Sequence, residues 1–79
     1  MSGLPAVPLS VLKPGEKGVI VKIRNIGDED MQHHLENLGF VEGAEVEIAS
    51  ENGGNQIVVI KGAQVALDSG VCRKITVQQ

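Results

Sequence analysis

Tryptophan and tyrosine are absent from the 79 residues, and Phe40 is the sole aromatic. The chain also lacks a basic excess, with 7 Lys and Arg against 10 Asp and Glu and a formal charge of −3. Nucleic-acid binding normally uses a basic footprint and, for single strands, aromatic stacking platforms, so both absences weigh against it. A lone cysteine, Cys72, excludes an internal disulfide, and nothing marks the chain as secreted. Residues 1–12 show no basic segment followed by an apolar run, and no stretch approaches the roughly 20 apolar residues that span a bilayer. A cytoplasmic protein is the expectation, and any link to a membrane must run through another protein.

What is present points to strands. Ten glycines and many Val and Ile residues suit short β segments joined by tight turns. A chain this short fits one domain, which buries roughly 60% of the surface its unfolded form exposes. Residues 1–8 hold two prolines and read as an extended lead-in, leaving 9–79 as a single domain. Leu9 and Leu12 anchor a short helical turn that Pro14-Gly15 ends. In the following strand Val19, Val21 and Ile23 are expected on the inner face, with Lys22 and Arg24 on the outer one.

Gly27 breaks that strand, and one short helix is expected over about 28–38. Asp28 suits the N-cap, Glu29 and Asp30 suit the first turn, and Met31, Leu35 and Leu38 form an apolar stripe. Gly39 stands where a left-handed residue ends the helix, and a Schellman turn there would fold Phe40 back on Leu35. Val46 and Ile48 then alternate with Glu45 and Glu47, and Glu51 to Asn55 reads as a hairpin turn. Segments 57–60, 65–67 and 75–77 complete the strands. The fold class is therefore β-dominated, a small closed barrel of about five short strands with one helix, because closure removes exposed edges.

His33 and His34 are the candidate metal ligands, with Glu29, Asp30 and Glu36 on the same helix. Adjacent helical residues diverge by 100°, so His34 borders the apolar stripe while His33 points away from it. The i, i+4 pairs Glu29 with His33 and Asp30 with His34 supply only two ligands each. No cofactor is expected beyond a weak Fe2+ or other divalent contact there. Cys72 lacks a Cys-x-x-Cys companion and reads as core. The seven cations are dispersed, no phosphate-binding glycine pattern occurs, and Ser10 and Ser69 lack the setting of an activated nucleophile. Such a barrel also leaves little volume for a substrate cleft, so binding is expected and catalysis is not.

Three segments match a known arrangement in order and spacing. They are Leu9-Ser10-x-Leu12-Lys13-Pro14-Gly15-Glu16, then His34-Leu35-x-x-Leu38-Gly39-Phe40-x-x-Gly43-x-x-Val46, and the tail from Gly62-x-x-Val65-Ala66-Leu67 through Ile75-x-Val77. From residue 9 onward the chain resembles the FeoA family, small cytosolic partners of the bacterial ferrous iron transporter FeoB. The resemblance implies an SH3-like barrel and an accessory role in ferrous iron uptake through contact with the membrane GTPase FeoB, at its cytoplasmic part. It does not imply iron binding or GTP hydrolysis.

This chain departs from the family pattern at Glu42, where Pro is usual, at Gln32-His33-His34, where basic residues are common, and at Asp68, where Arg is frequent. Cys72 falls where a small residue is common. Exposed polar surfaces carry recognition, so the expected contact residues are Gln32, His33 and Glu36 on the helix and Glu51, Asn52 and Asn55 in the hairpin. An iron-sensing metal module at His33 and His34 and a small nucleic-acid-binding barrel are the alternatives.

Overall fold

The computed structural model describes residues 5–24 and 29–79. The proposed Asp28 cap and the Gly27 break lie outside the described residues. Strand β1 (Ala6–Pro8) leads into a 3-10 turn at Leu9–Val11, followed by β2 (Lys17–Ile23) and helix α1 (Glu29–Leu38). Strands β3 (Glu45–Asn52), β4 (Asn55–Ile60) and β5 (Ala63–Leu67) follow, then helix α2 (Ser69–Lys74) and β6 (Ile75–Gln78). The sheet order is β1-β6-β2-β3-β4-β5, and every neighbouring pair is antiparallel.

The β-dominated fold expected from the sequence is thus what is found, with one strand and one helix more. The sheet begins at Ala6, inside the stretch read as a lead-in, because Val7 pairs with Val77. The sequence does not predict helix α2; only Asp68, Val71 and Cys72 hint at it, over too few residues for a periodic signal. Val7 from one end strand and Leu67 from the other join the same apolar core, so the sheet is rolled and not flat. Helix α2 sits at the junction, touching β1, β4, β6 and the 3-10 turn.

Two tight hairpins set the register of the β3–β4–β5 meander. Asn52 faces Asn55 across Gly53-Gly54, and Ile60 faces Ala63 across Lys61-Gly62. Lys61 and Gly62 both have positive φ, 51° and 80°, the combination a two-residue turn needs to match the twist of its strands. This places Val46 and Ile48 inward, as their alternation predicts, and Val58 and Ile60 with them. Ile57, in the apolar run 57–60, faces out instead.

The inner face of β2 is the reverse of the one expected. Gly18 and Ile20 are buried, whereas Val19 and Val21 are 39% and 38% exposed. A register shift between Ile20 and Lys22 against β6 then restores Ile23 to the core side. Such a bulge adds one residue and breaks the two-residue period, so alternation read through it assigns the wrong face.

Helix α1 ends as anticipated. Gly39 has φ 105°, Phe40 N–H donates to Leu35 O at 3.0 Å and Gly39 N–H to Glu36 O at 3.0 Å, the two bonds of a Schellman turn. Phe40 and Leu35 are both buried. The apolar stripe is shorter than expected: Leu35 is in the core and Leu38 packs against it, but Met31 is 39% exposed. The helix is tied down at its C-terminal end, and its first turn overhangs the sheet without reaching the core.

The reversed face of β2 has a direct consequence for stability. Ile20→Ala is expected to cost about 2–5 kcal/mol, whereas Val21→Thr should stay within about 0.5 kcal/mol. Urea unfolding of the two variants distinguishes them, and the opposite ranking would restore the alternation of Val19, Val21 and Ile23.

Candidate functional site

The residues singled out from the sequence separate into three places. Gln32 and Glu36 line one concavity of about 320 Å3, together with Ile23, Phe40, Val41 and Glu42. His34 lines another, of about 190 Å3, running between α1 and the β5–α2 segment. His33 lines neither and is exposed. The two imidazoles diverge as helical geometry requires, and no group of three His, Cys, Asp or Glu residues suited to a metal forms among the described residues.

Glu51, Asn52 and Asn55 are exposed at the tip of the β3–β4 hairpin. Asn55 has a structural task there, its Oδ1 accepting a hydrogen bond from Ser69 N–H at 3.2 Å. The hairpin tip is thereby tied to the start of α2. Asp68, the preceding residue, is extended and accepts from Val71 N–H through Oδ1 at 2.9 Å, capping the helix. The residue that departs from the family pattern therefore begins α2 and also lines the groove with His34.

That groove is the feature sequence reasoning missed. Its walls are Met31 and Leu38 on α1 and Val65 and Ala66 on β5, with Asp68 at the end. The exposure of Met31, so costly to the expected core stripe, is what makes an apolar wall on the helix side. The signal available in the sequence was an α1 of mostly polar residues, whose apolar side chains are too few to cover a sheet edge.

Apart from the groove lining, Gln56 and Cys72 are buried. Gln56 is buried on β4, and its Nε2 donates to Leu9 O at 3.2 Å and to Leu12 O at 3.1 Å. One side chain thus gives Leu9 O a second donor beside Leu12 N–H and supplies a donor to Leu12 O at the end of the 3-10 turn. Cys72 is fully buried, with Sγ 3.9 Å from Leu67 O. Burial pushes its thiol up to about 11, and the Asp68 carboxylate adds to the shift. A thiol so raised is a weak nucleophile, in keeping with a place in the core.

The FeoA domain family model matches residues 7–79. The chain belongs to the FeoA domain family. Among solved structures, an iron uptake regulatory protein (FeoA) superposes with a TM-score of 0.81 at 27% identity, over 94% of this chain and 97% of that one. A zinc-complexed FeoA from Stenotrophomonas maltophilia, described as a prokaryotic SH3 domain protein, gives 0.76 at 23% identity over 87% and 86%. A manganese-dependent transcriptional repressor gives 0.83 at 22% identity, covering 100% of this chain but 44% of the repressor. The FeoA domain therefore has the SH3-like fold that the resemblance implied. No curated protein matches the sequence.

Within this FeoA domain the Glu42-Gly43 departure leaves the turn intact, since Ala44 N–H reaches Val41 O at 3.1 Å without a proline. No helix among the described residues is long and apolar enough to cross a membrane.

The buried thiol makes a pH dependence that can be measured. The folded state holds the Cys72 proton more tightly than the unfolded chain, whose thiol titrates near 9.0. Its contribution to stability is full below that pH and is lost as pH rises through about 11. Denaturant titrations across this range should show wild-type stability falling more steeply than that of Cys72→Ala. Equal slopes in the two proteins would mean that the thiol is accessible to water.

Proposed function

We propose that this FeoA domain is a non-catalytic accessory protein of bacterial ferrous iron uptake, acting through contact with the membrane GTPase FeoB. The observation that carries the reading is the family match over residues 7–79 on a chain of 79. In support, the Stenotrophomonas relative has been put forward as a ferrous iron transport activating factor, and another solved relative is an iron uptake regulatory protein. The contact reaches the cytoplasmic part of FeoB, and the domain works in the cytoplasm, recruited to the inner face of the membrane by its partner.

The contact surface in this reading is the exposed face of α1 at Gln32, His33 and Glu36, extended by Glu51, Asn52 and Asn55 at the hairpin tip. These side chains are exposed, so they can be read without unfolding anything. Adjacent His33 and His34 offer too few convergent ligands to hold iron by themselves, and transport of the ion belongs to the partner.

Co-purification of the tagged domain with FeoB, and ferrous iron uptake in cells lacking the domain, test this reading. Association and reduced uptake are expected; no association together with normal uptake would overturn it. Glu36→Lys should weaken the association while changing unfolding free energy by no more than about 0.5 kcal/mol, as an exposed substitution does. Parallel loss of binding and folding would remove Glu36 from the contact surface.

A further inference from the structure

The two end strands of the sheet are protected differently. Strand β1 has three residues, contains Pro8 and follows Pro5, both unable to donate a backbone N–H. Short length and proline are the usual devices that stop an edge from pairing with another chain. Strand β5 has neither. Its five residues, Ala63-Gln64-Val65-Ala66-Leu67, include no proline and no charge.

Hairpin geometry shows which backbone groups of β5 are free to pair. Ile60 and Ala63 close a two-residue turn, so they form a hydrogen-bonded pair and the pattern alternates from there. Ala63, Val65 and Leu67 turn their N–H and C=O toward β4. Gln64 and Ala66 turn theirs outward, where no strand lies beside them among the described residues. Beside this edge runs the groove whose far wall is Met31 and Leu38 of α1. An added strand would therefore meet backbone partners on one side and an apolar wall for alternate side chains on the other.

Charge selects the occupant. Asp68, next to Leu67, is the carboxylate that lines the groove, His34 is the other ionisable side chain there, and no Lys or Arg lines it. Lys61, in the turn at the opposite end of β5, lies along Gly39. A second copy of this chain carries the same net charge of −3, so two copies approach against their mutual repulsion.

We infer that the outer edge of β5 accepts an extended segment of a partner protein as an added strand, with alternating apolar side chains facing Met31 and Leu38 and a basic residue next to Asp68. The inference rests on the preceding reading only in taking the partner to be a protein. It assigns the contact to a surface that neither the α1 outer face nor the hairpin tip includes.

The test uses a synthetic eight-residue peptide of alternating valine and threonine with two lysines at one end, and the same peptide with two glutamates in their place. NMR titration of the intact chain should show shifts and slowed amide exchange at Gln64 and Ala66 with the lysine peptide. The glutamate peptide should bind about tenfold more weakly at low salt, a gap that closes as salt screens the charges. Ala66→Pro removes one outward donor, and Ala66→Lys places a like charge at the edge while keeping the backbone. Both should abolish the shifts with the far-ultraviolet spectrum unchanged. If Ala66→Pro fails to fold, Ala66→Lys decides.

Equal binding of the two peptides, or undiminished binding by Ala66→Lys, would overturn the inference. So would a concentration-dependent dimer of the free protein that protects Gln64 and Ala66, since the surface would then be a self-interface. Peptide binding without FeoB association would support this surface and sink the transporter reading. Association with FeoB that survives in a chain giving no response to the lysine peptide would do the reverse.

Discussion

The 3-10 turn packs against α2 and β6 and is tied to β4 by one side chain, Gln56, which serves the carbonyls of Leu9 and Leu12 at once. These bonds join residues more than forty positions apart in the chain. They fix the N-terminal segment where it can bring β1 to β6, and they let α2 sit over the junction of the rolled sheet. The Nε2 of Gln56 is matched twice, whereas its buried Oε1 has no hydrogen-bond partner among the described residues, a cost the two bonds offset. Position and register of the remaining strands follow from this packing and from two tight hairpins.

Helix α2 links that interior to the surface. Its start is held from two directions, by Asp68 capping Val71 and by Asn55 reaching Ser69 from the hairpin tip. Cys72, one turn further on, is buried beneath the same segment. A departure from the family pattern at Asp68 is therefore not an isolated change of surface charge. The same carboxylate shapes a helix end and gives one end of the groove its sign.

The surface features arise from what α1 leaves uncovered. Its C-terminal end is secured by Leu35 and the turn at Gly39 and Phe40, while Met31 in its first turn and His34 at its middle face β5 across the groove. An anchored helix end and an overhanging one produce a groove without any loss of core packing. Met31, His34 and Leu38 on this helix face the neutral Val65 and Ala66 of β5, with the Asp68 carboxylate beside Leu67. Family membership accounts for the fold and ties the domain to iron uptake proteins, whereas these walls are properties of this chain's own residues.

Local chemistry was enough to determine much of this protein from its sequence. The short C-terminal cap of α1, the Val46 and Ile48 face, both ends of the β3–β4 turn, the core place of Cys72 and the family resemblance all rest on residues adjacent in the chain or at regular spacing. Other features depend on partners distant in sequence. The reversal of β2 required the bulge against β6, since Gly18 and Ile20 look no more inward than Val19 and Val21 without it. Helix α2 is too short to leave a period, and the exposure of Met31 depends on how far α1 reaches across the sheet. His33 and His34, adjacent in sequence, were separated by helical geometry alone. The groove is the clearest case of what only the tertiary structure decided, because α1 and β5 are joined through two hairpins and no local pattern states how they approach.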